Sequence, residues 1–419
     1  MAENMILVEE ARDIVLDHVG QMPRVRVPVW KAAGLPLAED VVTDIDLSPF
    51  ANSAMDGYAV VAADLTGASE GAPVELDVVG HEAAGHVFSD RVEPGHAVRI
   101  MTGAPVPEGA DAVVKYEVVQ VLEGDGNEGA RSRFSAPAKG GESSRVAGLE
   151  AHAGEAVLRA GDVVTPAGCG LLASAGASEV TVHAAPRVGI IALGTELVSP
   201  DQVPARGQIR DANSAALMAA TVTAGAEPEF FGIAPDDPVA IEQLVLKAAE
   251  TCDFVVTSGG ASAGDYDYVT ALVEREGQVL FDHISMKPGK AITFGLLAGK
   301  PFLGLSGNPA AAVVGFEMLA RPAIRKMRGF SAFDRPVQMA RVDREIKKRQ
   351  ARRFYNRAHV ERDAAGELVV TEAPSQNSAL LGTLQRANCL LKVADGFEGI
   401  PAGGMAEVVR IDIPEGTVL

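Results

Sequence analysis

Sulfur is scarce in this chain. Three cysteines, Cys169, Cys252 and Cys389, are spread through 419 residues with no C-x-x-C pair. That spacing argues against a disulfide framework and against a thiolate zinc site. Aromatic residues make up only 5%, with a single tryptophan. No apolar run approaches the ~20 residues of a membrane-spanning helix, so direct membrane insertion is not expected. Cations are in deficit as well: 37 Lys and Arg stand against 56 Asp and Glu, a formal net charge of −19. Nucleic acid and anionic membrane surfaces both need a basic face and are disfavoured as partners. A small anion is still allowed, because a local pocket can oppose the global charge. The opening MAENMILVEE is acidic and lacks the basic start of a signal peptide, so a cytoplasmic protein is expected.

Apolar residues (47%), glycine (44) and proline (24) are plentiful. The length suggests several domains, roughly 150 residues each. Residues 5–19 carry Ile6, Leu7, Ala11, Ile14, Val15 and Val19 at helical spacing, and Gly20 stops the helix. From about 21 to 185 short alternating runs such as VELDVVG and DAVVKYEVVQVL, broken by turn residues, predict a β-rich region. At 186 the pattern changes. PRVGIIALGTEL, PEFFGIA, DFVVTSGG and KPFLGL read as buried strands, and helix patterns alternate with them to about 328. That order predicts a doubly wound, mostly parallel sheet. The last 90 residues return to short strands and predict a small β domain.

In an open α/β sheet, ligands sit beyond the carboxyl ends of the strands. Four loops qualify here. They are Gly194-Thr195-Glu196; Ser258-Gly259-Gly260 with Ser262, Asp265 and Asp267 beyond it; Lys287-Pro288-Gly289-Lys290; and Ser306-Gly307-Asn308-Pro309, which enters a helix. Glycine lets a backbone approach a ligand closely, and helix N-termini offer unpaired N–H groups to anions. Each loop alone is a common turn; together with two lysines they point to a phosphate-bearing or oxyanion ligand. Neither a P-loop nor a G-x-G-x-x-G fingerprint occurs, which disfavours nucleotide hydrolysis and dinucleotide redox chemistry. Glu196, Asp211, Asp236 and Asp237 add hard oxygen donors suited to Mg²⁺. Asp236 and Asp237 also precede Pro238, where a helix cap is expected anyway, and Asp211 shares that ambiguity. In the β-rich half, Asp56-Gly57 and Thr102-Gly103 both read locally as turns.

The order of these segments decides between readings. PFANSAMDGYAV, VRIMTGAPVPEGADAVV, GTEL, TSGGASAGDYDY, KPGK and SGNP resemble the MoeA family of molybdopterin molybdenumtransferases, which includes the E domain of gephyrin. The resemblance covers nearly the whole chain. It implies a multidomain α/β plus β fold. Residues 5–20 and 185–328 would form a molybdopterin-binding-type α/β domain. Residues 45–147 would form a β-rich insertion, 21–44 and 148–184 a linking β region, and 329–419 a small C-terminal β domain.

The resemblance also implies a homodimer whose subunits share each site, and an activity: Mg²⁺-assisted insertion of molybdate into adenylylated molybdopterin, with release of AMP. By that reading Asp56, Thr102, Glu150, Asp211 and Asp237 are the catalytic positions, and Glu196 with Asp211 holds Mg²⁺. Gly194, Thr195, Ser258, Gly259, Gly260, Ser262, Lys287, Lys290, Ser306, Gly307, Asn308 and Pro309 bind the pterin phosphate and nucleotide. Arg353 and Arg357 are weaker anion contacts. The run Asp265-Tyr266-Asp267-Tyr268 stands where the family tends to have a Glu-Ala-Asp-Tyr type run, and two further motifs depart from the family. SGNP stands for PGNP, which removes a ring that stiffens the turn, and Gly148-Leu149-Glu150 stands for GED. These changes motivate an alternative: a gephyrin-like scaffold whose dimer binds a short peptide of a membrane receptor or cytoskeletal protein, with reduced or no insertase activity.

Overall fold

The computed structural model describes residues 5–260 and 268–418. Two compact units divide the chain: Met1–Val27, Gly34–Ala38 and Thr181–Leu419 form one, and Pro28–Ala33 with Glu39–Val180 form the other. The expected fold class is present.

The first unit opens with helix α1 (Val8–Asp17). Val8, Ala11 and Val15 recur at three- and four-residue steps, so one stripe is apolar and is buried, while Glu9 and Glu10 face outward at the N-terminal turn.

The second unit is built on a six-stranded sheet. Its strands are β1 (Gly57–Val60), β2 (Val74–Glu82), β3 (His96–Ile100), β4 (Ala112–Lys115), β5 (Val119–Glu123) and β6 (Arg131–Phe134), in the order β4-β1-β3-β2-β6-β5. Alternation places Leu76 and Val78 inward and Glu75 and Asp77 outward. Tyr58, Leu76, Val78 and Phe134 fill one face, and Ala59, Val98, Ile100 and Val113 the other. Helix α2 (Pro166–Ser174) is capped by Thr165, whose hydroxyl accepts from Gly168 N.

The chain then returns to the first unit. Strands β7 (Arg187–Leu193), β8 (Glu227–Ala234), β9 (Phe254–Ser258), β10 (Gly277–His283), β11 (Ala291–Leu297) and β12 (Lys300–Leu305) pair in the order β8-β7-β9-β12-β11-β10. The first four are mutually parallel, and the last two pairings, β12 with β11 and β11 with β10, are antiparallel, so β11 alone is reversed. Five helices accompany them: α3 (Asn213–Ala224), α4 (Pro238–Thr251), α5 (Tyr268–Glu276), α6 (Pro309–Gly315) and α7 (Arg321–Met327). Both faces of the sheet are covered. Val188, Ile190, Phe254, Val256, Leu303 and Leu305 meet α1, α3, α6 and α7. Ile191, Leu193, Val255 and Phe302 meet α4 and α5. Burial on both faces explains why these strands are unbroken apolar runs in the sequence.

The C-terminal part of this unit has strands β13 (Val337–Val342), β14 (Arg353–Arg362), β15 (Leu368–Glu372), β16 (Cys389–Val393) and β17 (Met405–Arg410). They run β14-β15-β13-β17-β16, and β14 also pairs with β16, which closes a small barrel. Closure leaves the barrel no free edge. The two-residue strand Met286–Lys287 adds to β14 in parallel, with Lys287 opposite Phe354.

Candidate functional site

Three of the four Gly-rich loops converge where the parallel strands end, and the KPGK loop adjoins them. The geometry begins with glycine. A Cβ at Gly259 would lie 2.2 Å from the carbonyl oxygen of Leu193, and Gly259 N donates to Leu305 O at 2.9 Å. The loop after β9 is thus pressed between the ends of β7 and β12, and only glycine fits there (φ +96°). At Gly194 a Cβ would stand 2.6 Å from Glu196 Oε2, so the glutamate carboxylate folds down over the glycine. Glu196 and Asp211 flank two short paired strands, Leu197–Val198 and Ile209–Arg210. Ile209 N donates to Glu196 O, and Asp211 N to Val198 O.

Asn213, the first residue of α3, joins these loops. Its amide nitrogen donates to Ser258 Oγ at 2.7 Å and to Gly307 O at 2.9 Å. Two cavities then share the Ser306–Pro309 turn. The smaller, about 80 Å³, is lined by Glu196, Asp211, Asn213, Ser258, Gly307 and Pro309. The larger, about 360 Å³, is lined by Lys287, Gly289, Lys290, Ser306, Asn308, Arg352, Gln376 and Ser378. The smaller carries two carboxylates against one guanidinium, that of Arg210, and is acidic on balance; the larger is cationic.

The cationic cavity has a defined electrostatic state. Lys287 is half-buried, and its ammonium lies 4.5 Å from the centroid of the Phe354 ring. Burial, with the positive charge of Arg352 adding, pulls the Lys287 ammonium below the ordinary lysine range. Arg352 is anchored by Met286 O at 3.1 Å and Gln350 Oε1 at 2.6 Å.

In the acidic cavity Asp211 is buried, and its Oδ1 accepts from Ser214 N at 3.1 Å. Asn213 Oδ1 is buried without a partner among the described residues. Such an oxygen is costly unless another group satisfies it. Among the described residues no three His, Cys, Asp or Glu side chains gather as a cage for a metal ion. The oxygen donors here nevertheless suit Mg²⁺, which typically takes one or two carboxylates and completes its shell with water and phosphate.

Several sequence candidates are placed otherwise. Asp237 caps α4, its Oδ1 accepting from Ala240 N at 2.8 Å. Asp236 and Thr195 bond each other reciprocally, side chain to backbone N–H, which ties the ends of β7 and β8 together. Ser306 Oγ accepts from Asn308 N at 3.3 Å, so the serine braces the turn that lost a proline ring. Arg357 is buried and bonds Thr383 Oγ1, Ser375 O and Asn377 O. Arg353 pairs with Glu9 and with Asp395, the latter at 2.7 Å. Neither of these two arginines lines the cavity, whereas Arg352 does. Ser262, Asp265 and Asp267 lie outside the described residues.

In the second unit, Asp56 Oδ1 accepts from both the backbone N–H (2.8 Å) and the hydroxyl (2.7 Å) of Thr102. These bonds hold the exposed Asp56 carboxyl below the usual carboxylate range. Two residues that read separately as turns are therefore one device. Glu150 is exposed, and its N–H bonds Leu47 O.

Asn213 and Arg352 carry more of this geometry than their sequence context indicates. Asn213 looks like a helix-start residue, and Arg352 is one of several neighbouring arginines. Only the pairing of β14 with Met286–Lys287 separates Arg352 from Arg353.

The fold defines an α/β protein with two adjoining cavities at its strand ends and an attached closed barrel. Comparison with known proteins narrows the class. Residues 6–176 match the MoeA N-terminal region (domain I and II), 189–326 a probable molybdopterin binding domain, and 339–411 the MoeA C-terminal region (domain IV). The chain is 34% identical over 408 residues to the molybdopterin molybdenumtransferase of Staphylococcus aureus (strain COL), covering 97% of this chain and 96% of that one. It is 33% identical over 410 residues to the enzyme of the same name from Haemophilus influenzae, covering 97% and 98%. A crystal structure of a MoeA protein of molybdopterin biosynthesis from Pyrococcus horikoshii OT3 superposes with a TM-score of 0.81 at 28% identity, over 97% of this chain and all of that one. The chain belongs to the MoeA family of molybdopterin molybdenumtransferases.

Proposed function

We propose that this protein acts as a transferase in molybdenum cofactor biosynthesis, inserting molybdate into adenylylated molybdopterin with release of AMP. The observation that carries the reading is the junction of a cationic and an acidic cavity at the Ser306–Pro309 turn. Lys287, Lys290 and Arg352 give an anionic pterin phosphate and nucleotide a place to bind. Glu196 and Asp211 would hold Mg²⁺, which offsets charge at the phosphoanhydride when bound. Asn213 Oδ1 and the Gly259 backbone shape the surface against which the ligand is oriented. In a homodimer, Asp56 and Thr102 of the second subunit would complete the site; Asp56, held ionised, would orient molybdate or an attacking water. The test is molybdate-dependent AMP release by the purified protein supplied with Mg²⁺ and adenylylated molybdopterin. Glu196→Ala and Asp56→Ala should each abolish turnover while leaving the fold intact. Full turnover in both variants would sink this assignment.

A second reading is a scaffold role, alone or alongside the first. It is favoured by a separate groove of about 230 Å³, lined by Val8, Glu9, Arg12, Met318, Pro322, Tyr355, Lys392 and Val409. An apolar floor rimmed by both signs of charge suits a short amphipathic peptide, such as a segment of a membrane receptor or cytoskeletal protein. Substituting Met318 by Lys should abolish peptide capture and leave AMP release unchanged.

A further inference from the structure

The net charge of −19 works against any anionic ligand approaching this chain. One segment opposes it. Five of the seven residues from Lys347 to Arg353 are Lys or Arg. Arg353 is neutralised by Glu9 and Asp395. Lys348 is nearly buried and donates to Ala394 O. Lys347 and Arg349 are exposed and line a second cavity of about 410 Å³ with Ile346, Lys348, Gly399 and Ile400. Its floor is fixed, since Ile346 and Ile400 exchange two backbone bonds of 2.8 and 3.0 Å. The rim carries one anion, Glu345, whose nearest oxygen is 3.6 Å from Lys347 Nζ.

This basic cavity and the ligand cavity each contribute one lysine that packs against the buried Phe354 ring. The Lys348 ammonium is 5.1 Å from the centroid of the Phe354 ring, and the Lys287 ammonium is 4.5 Å from the same centroid. The two nitrogens are therefore separated by no more than those distances laid end to end, about one Debye length at physiological ionic strength (~8–10 Å). Along the backbone, Arg349 lies three residues from Arg352, a reach of at most about 11 Å.

We infer that Lys347 and Arg349 form an outer anion station that gathers the phosphate-bearing substrate and passes it to the Lys287–Lys290–Arg352 cavity. The inference rests on the proposed function of that cavity. Charges at an entrance act on the encounter rate more than on the chemical step.

The experiment is stopped-flow association of adenylylated molybdopterin with the full-length protein across ionic strengths from about 0.01 M to about 1 M. In Lys347→Glu/Arg349→Glu the association rate should fall on the order of tenfold at the low end and converge with wild type at the high end. kcat for AMP release should not change. Lys347→Gln/Arg349→Gln should fall between the two. Lys139→Glu/Lys247→Glu makes the same change of charge at exposed cations on other elements and should leave the rate near wild type. Equal rates for wild type and the first variant at low ionic strength would overturn the inference, as would equal slowing in the Lys139/Lys247 control. Failure of the wild-type protein to bind adenylylated molybdopterin at all would overturn the cavity assignment and this inference together.

Discussion

The amide nitrogen of Asn213 sits 2.7 Å from Ser258 Oγ, so the first residue of α3 is joined to the last residue of β9. The same nitrogen reaches Gly307 O. One side chain thus holds the loop after β9 and the turn before α6 in register. Asn213→Ala should leave the buried Ser258 Oγ without this donor, a cost partly offset because the unpaired Asn213 Oδ1 is removed as well, so the net loss should be about 1 kcal/mol of stability. Because both loops line the acidic cavity, kcat/KM for AMP release should fall by more than the stability loss explains. Thermal unfolding and kinetics on one sample check this, and wild-type kinetics in a destabilised variant would refute the positioning role.

Asp56 is exposed and held as a carboxylate chiefly by the Thr102 N–H, with the hydroxyl second. Asp56→Asn should reduce turnover by roughly a hundredfold or more, with an intact fold and only a small drop in melting temperature, since the group is exposed. Thr102→Val removes only the hydroxyl bond and should have a smaller effect. The lowered carboxyl range has a stability sign too. The bonds to Thr102 contribute above the unfolded carboxyl pKa and are lost as pH falls through the folded value, so Asp56→Asn should flatten the acid limb of unfolding.

Lys287 must be protonated to hold an anion, and its burial lowers the pH at which that charge is lost. Affinity for the pterin substrate should therefore decline on an alkaline limb below the ordinary lysine value of about 10.4. Lys287→Arg should move that limb to higher pH while weakening binding at neutral pH, since the guanidinium cannot reproduce the fit over Phe354. An alkaline limb that stays in place in the arginine variant would assign it to another group.

Glu82 ends β2 with no solvent exposure, and its carboxyl has no well-formed hydrogen bond among the described residues, with only a weak approach from the Phe88 backbone N–H. Burial raises its pKa. The folded state therefore keeps a proton that the unfolded state releases first. Stability is full below the unfolded value of about 4.3 and declines as pH rises through the folded one. Glu82→Gln should stabilise the protein at neutral pH and remove that slope. Chemical denaturation at pH 5 and pH 8 would show it as a difference between the two midpoints that disappears in the variant.

Much of the architecture was legible in the amino-acid pattern because burial leaves a period. The stripe of α1, the alternation in β2 and the unbroken apolar runs of β7, β9 and β12 each follow from which faces are covered. The Gly-rich loops were legible as a set, since four at strand ends exceed what turns alone require. Contacts made at long range were not legible. Barrel closure depends on β14 meeting β16, and no local period encodes it. The choice of Arg352 over Arg353 and Arg357 depends on the register against Met286–Lys287, and composition is blind to register. Asp237 was ambiguous because a helix cap and an acidic ligand need the same residue type; its bond to Ala240 N is that of a cap.

The division of the chain also sets an order of assembly. The second unit has all its residues once Val180 has been synthesised. Helix α1 leaves the ribosome earlier than any of it, yet its buried stripe packs with Phe316, Leu319 and Ile324. At roughly 5–20 residues per second, that stripe waits on the order of tens of seconds for its partners. Through that interval Val8, Ala11 and Val15 are exposed on the nascent chain, a natural stopping place for a chaperone. A helix made before the whole second unit is buried only after that unit is complete.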